Sequence, residues 1–186
     1  MTIGFGVLVL GLGACGAPPP AAEVAAGPEP TTAVQDIMND LMARAMDEAF
    51  LLPDILTDAD AAKSADPGDI EAAWARVKHG AITLTEIPNL VVVPGRRITR
   101  PGSEVTGASG GGYLHAAEIE TRFRERRTDL LQAARKMHQA GLTAQAAAAR
   151  RDVTALQDLS IDIEVVCEGC HTQFWYSSTP TEPPAR

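Results

Sequence analysis

The sequence predicts an all-α protein, an antiparallel four-helix bundle, and three observations carry that prediction. Apolar residues recur at spacings of three and four through four long segments, which is helical periodicity. No segment shows the period-two alternation of a half-buried strand; "NLVVVPG" (89–95) is too short and runs into proline. Stretches rich in proline, glycine and hydroxyl residues separate the helical segments, and amphipathic helices of this length pack as a bundle.

The first helix is expected to open with a capping box at Thr32 and Gln35, each side chain satisfying a backbone N–H of the first turn. Val34, Ile37, Met38, Leu41, Met42 and Ala45 form its apolar stripe, and Pro53 marks its end. Asp66-Pro67 opens the second helix, proline being tolerated in a first turn. Ile70, Trp74, Val77, Ala81 and Leu84 are its buried face, and Pro88 stops or kinks it. The stretch "VPGRRITRPGSEVTGASGGG" (93–112) is read as a surface loop, since it lacks the lysine and hydroxyl of a phosphate-binding loop.

The third helix starts near Tyr113 and turns Ile119, Phe123, Leu130, Ala134 and Met137 inward. Its "RFRERR" run (122–127) reads as a solvated face, and Gly141 is expected to bend or interrupt it before "TAQAAAARR" continues. Asp152 is the N-cap expected for the fourth helix. Val153, Leu156, Leu159, Ile163, Val166, Cys170 and Phe174 point inward along it.

Chemistry concentrates near the end of that helix, in "CEGCH" (167–171), in a chain of 186 residues with only three cysteines. Half of a zinc site is one reading, but structural zinc takes four ligands and no second pair exists; His79, His115 and His138 stand singly. A thioredoxin-like redox pair belongs beside a βαβ pattern, which is absent here. The third reading is covalent haem, for which C-x-x-C-H is the attachment signature. On a helix, Cys167, Cys170 and His171 share a face. Two thioethers and one proximal imidazole can then reach a single haem c without distorting the helix.

Haem c implies export, and the N-terminus offers it. "IGFGVLVLGLGAC" (3–15) reads as a signal peptide's apolar core, too short to span a bilayer. Its ending resembles a lipobox, with Cys15 lipidated after removal of residues 1–14. No lysine or arginine precedes the run, so a translation start further upstream is expected. The proline- and alanine-rich stretch 15–30 reads as a tether, 31–176 as the haem domain, and 177–186 as a disordered tail. These readings place the protein on the periplasmic side of a bacterial membrane. Gly16 after the cysteine suggests the outer-membrane lipoproteins, the soluble periplasm being the alternative. A formal net charge of −8 excludes the basic footprint of a nucleic-acid binder and suits a partner with a positive docking surface.

A helical bundle with C-x-x-C-H near the end of its last helix resembles the cytochrome c′ family, the class II cytochromes c. "CEGCHTQF" (167–174) carries most of the likeness, with weaker pieces in "VQDIM" (34–38), the tryptophan-bearing second helix and "PGRR" (94–97). The resemblance implies one covalent haem, with a distal group supplied by the first helix. Met38 aligns with that distal place, Met42 is the runner-up and Met46 a further candidate. Methionine ligation would suit electron transfer with a redox partner protein; an open site would bind a small gas such as nitric oxide. Either makes the protein a carrier or binder, not an enzyme. A peroxidase would want a distal acid–base group, for which His79 or His138 are the candidates. A homodimer is a further implication of the resemblance. The chain departs from the pattern at Trp175, where many members carry a basic residue; Arg96, Arg97 and Arg100 are within reach of a haem propionate in one reading and belong to a solvated loop in the preferred one.

Overall fold

The computed structural model describes residues 29–53, 66–110 and 112–177, and within them the chain is all-α, without a strand. Helix α1 covers residues 34–51 and alternates winding: α over Val34–Asp36, π over Ile37–Met42, α over Ala43–Met46 and π over Asp47–Leu51. Then come α2 (Pro67–Val91), α3 (Ala116–Glu125), α4 (Arg127–Arg150) and α5 (Val153–Phe174). None of the described helices is long and apolar enough to cross a membrane. The signal, lipobox and most of the tether and tail lie outside the described residues, as does 54–65.

The start of α1 is capped from a distance. Its Val34 and Gln35 N–H groups donate to the Arg97 and Ile98 carbonyls, at 2.9 and 3.0 Å. Gln35 turns its side-chain oxygen to the Thr106 N–H at 2.9 Å, so the Thr32–Gln35 box does not form. The π winding of Ile37–Met42 shifts the stripe as well. Its i→i+5 bonds widen the turn, and Leu41, expected inside, is 40% exposed.

Helix α2 follows the expected pattern. Asp66 accepts from the Gly68 N–H at 2.7 Å, and Trp74, Val77, Ala81 and Leu84 are buried. The helix runs through Pro88 to Val91. It packs closely on both neighbours because two glycines remove side chains from the contact. A Cβ on Gly80 would sit 2.7 Å from the Glu48 Cβ, and one on Gly141 2.6 Å from the Thr85 Cα. Gly141 therefore marks the closest approach of α2 and α4, and α4 passes it unbroken.

The interruption of the third helical segment lies instead at Arg126, with φ −107° and ψ 39°. There α3 ends and α4 begins, and α3 leans onto α5 while α4 lies along α2. Pairings of Glu71 with Arg151, Thr85 with Gly141 and Val92 with Arg127 show α2 and α4 antiparallel. Arg151 makes the turn into α5 in the left-handed region (φ 55°), its guanidinium 5.7 Å over the Trp74 ring. Asp152 caps α5, accepting from the Ala155 N–H at 3.0 Å.

The segment after α2, read as a surface loop, is a strap. Ile98, Thr99, Val105 and Ala108 are buried against the helices, and Arg96 donates to the carbonyls of Leu90 and Thr32. Arg100 pairs with Asp36 at 2.9 Å. Tyr113, taken as a helix start, lies before α3 in an isolated antiparallel bridge to Tyr176.

Glu48 fastens α1 to α2. It is 6% exposed, its Oε2 lies 2.8 Å from the His79 Nδ1, and its Oε1 lies 3.5 Å from the Arg76 Nε. The His79 hydrogen bond holds its carboxyl below the ordinary value, against the opposing effect of burial. A carboxyl lowered in the folded state contributes stability above its unfolded pKa and loses it as pH falls through the folded one. Urea midpoints measured from pH 7 downward should therefore drop below about pH 5 in the wild type. Glu48→Gln should be less stable at pH 7 and show a flatter acid limb. Identical acid slopes in the two proteins would remove Glu48 from this role.

Candidate functional site

The inward face of α5 is set by Leu156, Leu159 and Ile163, all buried, and by Phe174 at its end. With rotation fixed by these anchors, Cys167, Cys170 and His171 turn half-buried onto one wall of a cavity of about 390 Å³. Met38 and Met42 of α1 line the same cavity; Met46 packs against the core outside it. Ile87, Pro88 and Val91 of α2, with Leu130 and Met137 of α4, complete its apolar lining.

No charged side chain among the described residues lines this space. Its polarity comes from Gln35, Asn39, Thr106, the two tyrosines, the thiols and the imidazole. Burial accordingly governs the titration of the three motif side chains. It pushes the Cys170 thiol up to about 11, with Cys167 adding to the shift. It also raises Cys167, helped by Glu164, and lowers His171, against the pull of Glu168. His171 is thus kept neutral, the state in which a ring nitrogen can ligate a metal.

These directions bear on the competing readings of the motif. A thiol–disulfide catalyst needs a lowered thiol pKa to form its nucleophile, and both thiols here move the other way. Zinc needs several donors around one point. Among the described residues no three of His, Cys, Asp and Glu are grouped to hold an ion. The motif instead presents separate groups along one apolar wall.

Histidines proposed for acid–base work lie elsewhere. His79 is engaged with Glu48, His138 donates through Nδ1 to the Thr85 carbonyl at 2.9 Å, and neither lines the cavity. Arg96, Arg97 and Arg100 do not line it either.

Sequence reasoning missed the wall built from irregular chain. Tyr113 and Tyr176 meet edge to face at 5.4 Å, and the Leu114 N–H donates to the Trp175 carbonyl at 2.9 Å. Gly107, at φ 87°, lies under the Tyr113 ring, where a Cβ would come within 2.8 Å. The only prior signal was the glycine cluster itself. Comparison of the chain with family models, with curated proteins and with solved structures gave no match.

Proposed function

We propose that this chain is a c-type cytochrome resembling the cytochrome c′ family, carrying one covalent haem and transferring electrons with His/Met ligation. Its helices would form an antiparallel four-helix bundle of α1, α2, the α3–α4 pair and α5. One observation carries the reading: Cys167, Cys170 and His171 line the same apolar, charge-free cavity as Met38. The donor set fits the group. Two neutral thiols stand one turn apart for the vinyl carbons, a neutral imidazole follows for the iron, and a thioether lies on another helix.

A haem held there supplies a one-electron couple. The chain's own residues do the rest. Cys167 and Cys170 would fix the ring's position, and His171, neutral by burial, would offer its nitrogen to the iron. The apolar walls from α2 and α4 would exclude water and favour the less charged ferrous state. Protein matured with periplasmic haem machinery should keep its haem through acid–acetone extraction. A colourless product, or haem that extracts freely, would defeat the assignment.

Met38 is the proposed distal ligand, with Met42 as the neighbouring alternative on the same cavity. The ferric protein should be low-spin and show the weak near-infrared band of thioether ligation. Met38→Ala should abolish that band, open the site to carbon monoxide and lower the reduction potential. The same change at Met46, which packs outside the cavity, should cost about 2–5 kcal/mol at most and leave the spectrum alone. A high-spin wild type that binds gas readily would move the protein to the gas-binding reading.

Attachment through lipidated Cys15 completes the proposal and places the haem domain on the periplasmic side, with a positively faced redox protein as partner. Two or more acyl chains anchor a protein stably where one does not. Cys15→Ser should release the protein from the membrane fraction to the soluble periplasm. A wild type already soluble there would exclude the anchor.

A further inference from the structure

The last turn of α5 leaves carbonyls without intrahelical donors and carries the negative end of the helix dipole. Two arginines of the "RFRERR" run meet both needs. Arg122 donates through Nη1 to the Gln173 and Tyr176 carbonyls, at 3.3 and 3.1 Å. Arg126 donates to the Gln173 carbonyl at 3.2 Å and to its side-chain oxygen at 3.3 Å, with its guanidinium 5.3 Å over the Phe174 ring. The run is in part the solvated face that its composition suggests, since Arg124, Glu125 and Arg126 are exposed, but Arg122 and Arg126 also reach back to the end of α5.

What these arginines hold is the segment that follows His171. The Trp175 and Tyr176 N–H groups donate to the His171 carbonyl, at 2.8 and 3.0 Å, and the Tyr176 ring stands 6.0 Å from the imidazole. Arg122 thus reaches the His171 backbone through one residue, Tyr176. The two cations differ in net effect. Arg126 is paired with Asp129 at 2.9 Å, whereas Arg122 has no carboxylate partner among the described residues. Arg124, between them, turns to the Thr121 hydroxyl at 3.1 Å and makes no hydrogen bond or ion pair to α5 among the described residues.

We infer that Arg122, assisted by Arg126, is a positioning residue for His171 and keeps an unbalanced positive charge beside the imidazole segment. The inference rests on the haem reading proposed above. A cation there favours the ferrous state, which carries one positive charge fewer than the ferric, and so raises the reduction potential. No other side chain of the described structure touches both carbonyls.

The test uses full-length, haem-matured protein, with haem content per chain measured first. Arg122→Gln should retain wild-type haem content, show a lower midpoint potential and shift the ferric electron paramagnetic resonance g values. Arg122→Lys should recover the potential but not the g values, because it restores charge without the two-carbonyl fork. Arg126→Gln should lower the potential by less, since Asp129 already offsets its charge, and it serves if Arg122→Gln does not fold. Arg124→Gln should change neither quantity. If Arg122→Gln matches the wild type in both, whatever its stability, or if Arg124→Gln lowers the potential equally, the positioning role is overturned. A wild type without covalent haem overturns the haem reading and this inference with it.

Discussion

The close contact of α2 with its two neighbours is the constraint from which the rest of the structure follows. Gly80 of α2 lets its backbone approach Ala45, Glu48 and Ala49 of α1, and Gly141 of α4 lets its backbone approach Thr85 of α2. Buried Ala144, Ala147 and Ala148 carry the small-residue character of α4 toward its C-terminal end. At the other end, Ile87, Pro88 and Val91 face Leu130 and Met137 across open volume. Small side chains close the helices at the first end, and larger, more widely spaced ones leave the cavity of about 390 Å³ at the second. The same helices that close at one end leave room at the other.

That room is electrically quiet. Chain charges are kept out of it, and the polar groups that enter are neutral under ordinary conditions. Burial is what raises the thiols and lowers the imidazole, with Glu164 adding to the Cys167 shift and Glu168 opposing that of His171. The carbonyl and amide ends of the surrounding helices would otherwise bring partial charges near. They are answered from elsewhere: the strap carbonyls take the first amides of α1, and arginines take the last carbonyls of α5.

The sequence disclosed what depends on period and adjacency. The faces of α2 and α5, the caps at Asp66 and Asp152, and the placing of Cys167, Cys170 and His171 on one wall follow from residue spacing, whereas Met38 was singled out by the family resemblance alone. What it hid depends on partners far along the chain. Thr32 and Gln35 look like a capping box, yet the amides they would satisfy are taken by Arg97 and Ile98. Gly141 looks like a helix breaker, and only the nearness of Thr85 shows why a side chain is missing there. Leu41 scores as core under α-helical winding, and no local signal announces the π turns that expose it. The strap reads as loop by composition, although four of its residues are buried.

The π winding of Ile37–Met42 gives α1 a surplus residue. Compared with α-helix, such a segment accommodates an additional residue within about the same rise. Removal of one residue there would restore α winding and leave the segments on either side in register. In a purely α-helical stretch the same removal would swing everything before it by about 100° around the helix axis. A single-codon deletion within 37–42 is therefore a milder lesion than one within α2, where the close approach of Gly80 to α1 depends on unbroken α-helical register.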